Sequence, residues 1–450
     1  MAVEAQRLTH GIGARWHAVR RRYKWWQLAL FVIGVIAFVS VLSALFMPLD
    51  DKPSRIYTDA PPPPVGDPHF ATALGTIVGA PVERGGTITR LNNGDEFVPA
   101  LLDAISHAER TINFAVYIWS EGTFSDQLLG ALEKKQREGV TVRVLLDGLG
   151  SIKVPDEDFE PLMKAGGKVQ KFRAPRFGKL TRFHRRNHRR SIVIDGEIGF
   201  TGGMAVSDIW LGNAQDTDHW RDIMFKVTGP LARSLQTAFA DLWVSSSGEL
   251  LIDPKNYPVS APAATAGVDR FIHLANSPAD DDESMAYFFL LPILSARESI
   301  YFAAPYFIPD AHLQSALVEK AKSGVDVRLL LPGPHTDNWI TRASAQARYQ
   351  ELLEAGAKVY EYQPTFMHAK YGVVDGKWGI IGSPNLNSRS RHLDEENALG
   401  IYDDEFGATL KATFFKDLER AKLVDLEEWR RRNPLQKFFE TISRILDQQS

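Results

Sequence analysis

The chain carries, twice, a histidine followed two positions later by a cation and seven positions later by an aspartate. The two copies are His188, Arg190, Asp195 and His368, Lys370, Asp375. An imidazole can attack phosphorus or protonate a leaving alkoxide near neutral pH. A neighbouring cation can stabilise the phosphoryl oxygens as charge shifts in the transition state. Two such pairs facing one cleft predict phosphoryl-transfer chemistry that needs no metal and no other cofactor.

Each copy lies in the same local setting, an apolar stretch that ends at a glycine-led turn. Residues i and i+2 of an extended segment point to the same face, so each histidine should lie beside its cation. The alternative is two unrelated surface strands with ordinary histidine–cation pairs. The repeat continues upstream, where 111–117 resembles 299–306 and 139–147 resembles 324–332, and this favours the catalytic interpretation.

The elements that must position these residues follow from the apolar pattern. The repeated upstream segments are β-rich, and helical patterns with one apolar face lie beside them. Strands that alternate with helices predict an α/β layered architecture. The net charge of −3 and the charged content of 24% are ordinary for a globular protein. The absence of cysteine excludes disulfides, thiolate metal sites and cysteine nucleophiles.

The amino terminus predicts a membrane anchor. Residues 1–24 form a basic tail, and 25–47 contain no charge and are long enough to cross a bilayer, which needs about 20 apolar residues. Because the cations precede the span, the positive-inside rule keeps the tail cytoplasmic and sends the rest across. The alternative is a cleaved secretory signal, whose apolar core is usually shorter, about 7–15 residues.

Two further segments flank the predicted catalytic region. Residues 48–70 form a proline-rich linker, a composition that favours an extended polyproline conformation. Residues 433–450 predict an amphipathic helix with Pro434 in its first turn. We expect this helix to dock on the domain, and contact with the membrane surface is the alternative.

A run of ten cations without an acidic residue extends from Lys168 to Arg190. A solvated surface is the ordinary interpretation of such a run. Because this one leads directly into His188, we expect contact with a polyanion, either an anionic lipid surface or a nucleic-acid backbone. The interleaved Phe172, Phe177 and Phe183 could insert among acyl chains or stack on bases, so they do not decide.

The paired motifs resemble the HxKxxxxD motifs of the phospholipase D superfamily, and the sequence around them is similar to bacterial cardiolipin synthases. The similar blocks are 117–118, 150–151, 187–196, 202–203, 219–222 and 382–385, with Asn387, Arg389, Ser390 and Glu396. The resemblance covers 93–429. It implies two tandem phospholipase D-like α/β/α sandwich halves, 71–250 and 265–432, that form one pseudo-twofold catalytic domain.

The same resemblance implies a membrane-anchored phosphatidyltransferase. A histidine would take up a phosphatidyl group from phosphatidylglycerol, release glycerol and pass the group to a second phosphatidylglycerol, giving cardiolipin. Anionic phospholipid and the membrane are the expected partners, with no nucleic acid. The expected location is the bacterial inner membrane, with a single span and a periplasmic catalytic domain. The alternatives are a phospholipase D-type phosphodiesterase acting on phospholipid or nucleic acid, and a non-catalytic membrane scaffold.

The resemblance also suggests residues that contact substrate, and these are Gly203, Ser383, Asn385 and Asn387. Families of this kind count Asp195 and Asp375 as catalytic. An aspartate before a glycine turn is, however, a common turn residue, and we expect both to brace the motif.

Two more carboxylates, Asp222 and Glu396, are expected to orient the imidazoles, because a carboxylate on the second ring nitrogen fixes the tautomer. Each follows the histidine of its own half by a few tens of residues. Ordinary salt bridges with Arg221 or Arg389 are the alternative.

Several positions depart from the family pattern and make the two half-sites unequal. Arg190 stands where lysine is usual, which keeps the charge and changes the geometry. Ala205 stands where a phosphate-facing asparagine is usual, whereas Asn385 is kept in the second copy. Leu386 and Asn387 replace an aromatic and an acidic residue, and 391–395 replaces a more apolar run.

Overall fold

The computed structural model describes residues 56–174, 185–258, 267–277 and 282–432, together with Trp26, Gln27, Leu30 and Gly34, which are helical. The rest of the predicted span 25–47, the tail 1–24 and the C-terminal helix 433–450 lie outside the described residues. Within the described part, no helix is long and apolar enough to cross a membrane.

Sixteen strands lie within the described residues. In chain order they are β1 Val82–Glu83, β2 Ile88–Asn92, β3 Thr111–Val116, β4 Thr141–Asp147, β5 Lys168–Phe172, β6 Ser191–Ile194, β7 Ile198–Gly202, β8 Ile223–Thr228, β9 Arg270–Asn276, β10 Ser299–Ala303, β11 Asp326–Pro332, β12 Lys358–Tyr362, β13 Tyr371–Val374, β14 Trp378–Gly382, β15 Glu396–Tyr402 and β16 Ala421–Leu423.

The α-helices of the same part are Pro68–Val78, Asn93–Ser106, Thr123–Arg137, Glu160–Lys164, Pro230–Ser247, Ser284–Ser295, Ala311–Lys322, Trp339–Gln346, Tyr349–Glu354, Ser388–His392, Asp404–Leu418 and Leu426–Arg430. Short 3₁₀ helices are Asp156–Phe159, Asp208–Trp210 and Pro254–Asn256.

The strands form two sheets with the same connectivity. The first has the order β2–β8–β7–β6–β3–β4–β5, and the second has the order β1–β9–β15–β14–β13–β10–β11–β12–β16. Apart from β1 and β16 at its edges, the second order repeats the first strand for strand. Strands β3, β4 and β5 are parallel, as are β10, β11 and β12, and the other neighbours pair antiparallel. The predicted α/β fold with two similar halves is confirmed.

Helices cover the apolar faces of the sheets, as a parallel segment with two buried faces requires. Every residue of β3 is buried. The two halves also share one apolar core, which contains Val193 of β6 and Leu235 from the first half and Val373 of β13 and Leu410 from the second. The halves are therefore packed on each other through side chains of both.

The helix Pro68–Val78 and strand β1 differ from the predicted boundaries, which place 48–70 in the linker and start the first half at 71. Strand β1 pairs with β9 of the second sheet. The ring of Phe70 lies edge-on against Trp378 of that sheet, with centroids 4.9 Å apart. No helix is predicted here, because the proline-rich composition of 48–70 favours an extended linker.

A buried ion pair also joins the halves. The guanidinium of Arg221, just before β8, donates to both carboxylate oxygens of Asp417 at 2.8 and 2.9 Å. The hydroxyl of Tyr371, at the start of β13, donates to the same carboxylate at 3.0 Å. Because each partner satisfies the other in a dry interior, removal of either would leave an uncompensated charge.

Candidate active site

The two motif histidines lie at corresponding places, just before β6 and β13, and only 7% of the surface of His188 and 5% of that of His368 is exposed. The backbone N–H of His188 donates to the carbonyl of Glu395 at 3.0 Å, and that of His368 donates to the carbonyl of Arg221 at 2.8 Å. Each histidine is therefore held by the backbone of the other half, at the residue just before a predicted orienting carboxylate.

The side chains follow the same crossed arrangement. Nδ1 of His188 lies 2.9 Å from both oxygens of Glu396, and Nδ1 of His368 lies 2.5 Å from Oδ2 of Asp222. A carboxylate at Nδ1 leaves Nε2 as the atom that can attack or transfer a proton. The sequence order had paired each carboxylate with the histidine of its own half, whereas in the structure each serves the histidine of the other half.

The alternative partners of these carboxylates are engaged elsewhere. Arg221 pairs with Asp417, and Arg389 pairs with Asp394 at 3.0 Å. Arg221 does reach the backbone carbonyl of Asp222, but not its carboxylate. The geometry therefore favours imidazole orientation over ordinary salt bridges as the role of Asp222.

The motif cations are buried beside their histidines. Arg190 donates to the carbonyl of His188 at 2.7 Å, and its guanidinium carbon lies 5.8 Å from the ring centre of Tyr117. Nζ of Lys370 lies 3.0 Å from Nε2 and 3.0 Å from the carbonyl oxygen of His368. Each motif cation thus lies beside the histidine of its own half, where it can contact a bound phosphate.

Burial sets the protonation of this cluster. It lowers the pKa of His188 well below its usual value and lowers the pKa of His368 to about 4, so both rings are neutral at pH 7. Burial also lowers the pKa of Lys370 to about 7 and raises the pKa of Glu396 to about 7. Burial would raise the pKa of Asp222 too, but His368 and Lys370 outweigh it and keep that pKa low. The two orienting carboxylates are therefore electrostatically unequal.

Aromatic side chains surround His368. The ring centroids of four of them lie 5.4 to 6.3 Å from the imidazole, and they are Trp210, Trp220, Tyr306 and Phe366. The indole Nε1 of Trp210 donates to Oδ2 of Asp222 at 2.8 Å and so helps to fix the carboxylate. Sequence reasoning gave these rings no role, although Trp220 lies in the block 219–222 that carries the family resemblance.

The surroundings of His188 are more polar. Its imidazole lies edge-on to Tyr117, with centroids 5.1 Å apart. The hydroxyl of Tyr117 accepts from Arg186 at 2.8 Å. Tyr117 lies in one of the blocks that carry the family resemblance, and that is the signal that could have assigned it to the site.

Two of the residues predicted to contact substrate lie against the orienting carboxylates. A Cβ on Gly203 would lie 2.1 Å from Oδ1 of Asp222, so only glycine leaves room for that carboxylate. The hydroxyl of Ser383, at the corresponding turn of the second half, donates to Glu396 and accepts from the backbone of Asn397. Both residues therefore border an orienting carboxylate, and their contact with substrate stays a prediction.

The two predicted asparagines have different surroundings. Asn387 accepts from the backbone N–H of Ser390 at 2.9 Å and caps the helix Ser388–His392, which is a structural role that its position in the motif block did not reveal. Oδ1 of Asn385 is buried and has no hydrogen-bond partner among the described residues. The predicted contact of Asn385 with a phosphate would use its Nδ2 donors and stays a prediction.

Asp195 and Asp375 lie at the far ends of β6 and β13, away from the histidines. The carboxylate of Asp195 accepts the backbone N–H groups of residues 109–111 at 2.7 to 2.8 Å. The carboxylate of Asp375 likewise accepts the backbone N–H groups of residues 297–299, with 2.8 to 2.9 Å between each nitrogen and the nearer carboxylate oxygen. Both residues have positive φ, 55° and 52°. Each carboxylate fastens a tight turn to the start of the neighbouring strand, and this favours the bracing role over substrate contact.

Most described cations of the basic run are paired within the protein. Lys168 lies 2.8 Å from Glu249, Lys171 lies 2.6 Å from Asp156, and Arg189 is fully buried and contacts Asp241 and Glu395. The run is therefore not one continuous polyanion-binding surface. Its members Arg176, Lys179 and Arg182, with Phe177 and Phe183, lie outside the described residues.

The sequence of this chain is similar to those of known proteins. The family model described as "Cardiolipin synthase, PLD-like domain" matches residues 101–243 and 291–418. A cardiolipin synthase of Geobacillus kaustophilus is 35% identical over 370 residues, which cover 81% of this chain and 73% of the relative. This chain belongs to the cardiolipin synthase family of phospholipase D-like proteins. Cardiolipin synthase 1 of Bacillus anthracis is 33% identical over 387 residues, 84% of this chain and 75% of the relative.

Solved structures show the same fold beyond the cardiolipin synthase family. The crystal structure of phosphatidylserine synthase from Haemophilus influenzae has a TM-score of 0.65 and 16% identity, covering 84% of this chain and 98% of that one. The structure of polyphosphate kinase from Porphyromonas gingivalis has a TM-score of 0.51 and 13% identity, covering 90% of this chain and 59% of that one. These likenesses confirm the architecture of two phospholipase D-like halves.

The bracing role of Asp195 can be separated from catalysis. Asp195→Asn keeps a residue type that tolerates positive φ but removes the charge that accepts three N–H groups. We expect a loss of about 1–3 kcal/mol in the free energy of unfolding, seen as a lower Tm, with turnover per folded molecule close to wild type. Asp253→Asn, which removes the charge of an exposed 3₁₀-helix cap, is the control and should lower Tm less. Lost turnover at unchanged Tm would assign Asp195 to the chemistry.

The lowered pKa of Lys370 predicts the alkaline limit of activity. The ammonium is charged below about pH 7 and loses its charge as the pH rises through that value, so kcat/KM should fall there. In the Lys370→Arg variant the geometry of the guanidinium differs from that of the ammonium, so kcat/KM should be lower than in wild type at pH 6. Because arginine keeps its charge, kcat/KM of this variant should not fall between pH 6.5 and 8.5. Lys168→Arg, remote from the site, should retain the wild-type profile. The same alkaline fall in Lys370→Arg would exclude Lys370 as its cause.

Proposed function

We propose that this chain is a membrane phosphatidyltransferase of cardiolipin synthase type, which converts two phosphatidylglycerols into cardiolipin and glycerol. Its relatives at 33 to 35% identity are cardiolipin synthases. The observation that carries the proposal is the crossed pairing of His188 with Glu396 and of His368 with Asp222 around two buried cations. Such a site supplies a nucleophile, an acid and two phosphate contacts from side chains alone.

In the first step, Nε2 of His188 attacks phosphorus of the donor lipid and the bond from phosphorus to the glycerol oxygen breaks. A neutral imidazole is the nucleophilic form, and the low pKa of His188 keeps it neutral. His368 gives a proton to the leaving oxygen. Its acid form is favoured once the anionic phosphate has bound, because an opposite charge raises the pKa of an imidazole and Asp222 stabilises the imidazolium.

In the second step, the hydroxyl oxygen of the acceptor attacks phosphorus and the bond from phosphorus to Nε2 of His188 breaks. The hydroxyl proton passes to Nε2 of His368, which is then ready for the next donor. Arg190 and Lys370 contact the phosphoryl oxygens in both steps. Water attacking the same intermediate would give hydrolysis, so phospholipase D-type phosphodiesterase activity is the second candidate.

Lipid analysis tests the overall function. We expect expression of the chain in a bacterial host that lacks cardiolipin to restore cardiolipin in the membrane extract. His188→Ala and His368→Ala should each abolish it, and Asp241→Asn, which lies outside the site, should not. Accumulation of phosphatidic acid without cardiolipin in the wild-type strain would favour the hydrolase instead.

The assignment of His188 as nucleophile rests on its polar surroundings and on the family resemblance. With phosphatidyl-p-nitrophenol labelled in its acyl chains, the first step needs no proton from His368. The His368→Ala variant, denatured in detergent at neutral pH because acid breaks a phosphorus–imidazole bond, should retain label on a peptide that contains His188. His188→Ala should retain none. Label on a His368 peptide in the His188→Ala variant, and none in His368→Ala, would reverse the two roles.

We further propose that residues 25–47 anchor the protein in the inner membrane and that the catalytic domain is periplasmic. The cations before the span support this orientation. Because the chain has no cysteine, Ser54→Cys introduces a single label site after the span. An impermeant maleimide should label Ser54→Cys in intact spheroplasts and Thr9→Cys only after lysis. The opposite pattern would place the catalytic domain in the cytoplasm.

A further inference from the structure

The pseudo-twofold symmetry of the site is broken two positions before each histidine. On the extended segment that leads into β6, Arg186, His188 and Arg190 alternate onto one face. The matching position before His368 is Phe366, whose ring packs against Trp220 with centroids 4.8 Å apart. The first half therefore places an additional cation where the second half places an aromatic ring.

Arg186 and Arg190 share one tyrosine. The guanidinium carbon of Arg186 lies 5.9 Å from the ring centre of Tyr117, and that of Arg190 lies 5.8 Å from it. The same ring lies 5.1 Å from the imidazole of His188. Two guanidinium groups are thus held beside the nucleophile by a single rigid ring.

The charge of Arg186 is not neutralised by an ion pair. Within the described residues it forms none at 4.0 Å or less, whereas Lys168, Lys171 and Arg189 of the same run each pair with a carboxylate. Its guanidinium donates a hydrogen bond to the hydroxyl of Tyr117, and its Nε is buried with no partner among the described residues. A guanidinium has five donors, so most of this one remain available.

The nearest carboxylates are committed to other groups. The oxygens of Asp147 accept the backbone N–H groups of Leu149, Gly150 and Asn187 at 2.7 to 2.9 Å. Asp394 pairs with Arg389, and burial raises its pKa to about 7, so its negative charge is only partial at neutral pH. Both carboxylates act on Arg186 electrostatically, but neither forms an ion pair with it at 4.0 Å or less.

We propose that Arg186 binds the phosphate of the acceptor lipid, while Arg190 and Lys370 hold the reacting phosphate. This inference rests on the proposed function. The leaving glycerol is neutral, so the second anion of the reaction is the phosphodiester of the acceptor, which is separated from its attacking hydroxyl by the glycerol bridge. With that phosphate on Arg186, the hydroxyl oxygen is directed at phosphorus on His188, and its proton passes to His368. Arg186 then selects an anionic glycerophospholipid over water or a neutral alcohol.

A competition between two acceptors tests the proposal. The full chain is assayed in phosphatidylglycerol vesicles containing ethanol, and cardiolipin and phosphatidylethanol are measured together. Both products arise from the same phosphatidyl-enzyme, so their ratio reports the acceptor step alone. Arg186→Gln should lower the ratio of cardiolipin to phosphatidylethanol by about 10- to 100-fold, as expected for loss of a charge-assisted contact. Phosphatidylethanol formation should continue.

Two further variants complete the design. Arg186→Lys keeps the charge without the fork and should lower the ratio less than Arg186→Gln. Lys168→Gln removes a paired cation of the same run and should leave the ratio at the wild-type value.

A wild-type ratio in Arg186→Gln would overturn the proposal. If Arg186→Gln yields no product, the ratio is measured in Arg186→Lys instead. A wild-type ratio of cardiolipin to phosphatidylethanol in Arg186→Lys would then overturn the proposal. A wild-type protein that forms phosphatidylethanol but no cardiolipin refutes the proposed function itself, and the acceptor site falls with it.

Discussion

The crossed contact between each imidazole and a carboxylate of the other half is the constraint on which the site depends. His188 and Glu396 are both buried, as are His368 and Asp222, and burial disfavours an unpaired charge in all four. The pairs therefore form only when the halves are docked, and the backbone bonds from each histidine to the residue before the carboxylate fix their register. Gly203 leaves room for the carboxylate of Asp222, and the hydroxyl of Ser383 donates to the carboxylate of Glu396. Neither half contains a complete histidine–carboxylate pair.

The two half-sites are alike in geometry and unequal in electrostatics. Asp222 is held ionised by its neighbours and by the indole of Trp210, whereas burial raises the pKa of Glu396. An ionised partner suits a histidine that must carry a positive charge, and a weakly ionised one suits a histidine that must stay neutral until it attacks. This electrostatic difference favours His368 as acid and base and His188 as nucleophile. The half-sites differ also two positions before each histidine, where the first half has the cation of Arg186 and the second has the aromatic ring of Phe366.

The sequence predicted the repeat well because repetition leaves a signature in residue order. The strands around both motifs, the histidines and their cations were all accessible from spacing. The crossed partners were not, because spacing along the chain places Asp222 with His188 and says nothing about how two halves face each other. The helix Pro68–Val78 was not predicted, because the proline-rich composition of 48–70 favours an extended linker. Asn387 and Gly203 lay in recognisable blocks, but a motif does not distinguish a helix cap or a close approach from a substrate contact.

The crossed arrangement can be tested most directly with a donor whose leaving group needs no protonation. Phosphatidyl-p-nitrophenol releases p-nitrophenolate, so its first step should depend on the nucleophile but not on the acid. If Asp222 acts through His368, Asp222→Asn should slow the release of glycerol from phosphatidylglycerol and leave the pre-steady-state burst of p-nitrophenolate nearly intact. Glu396→Gln, which acts through His188, should slow both. A burst lost in Asp222→Asn and kept in Glu396→Gln would contradict the crossed pairs and the roles assigned to them.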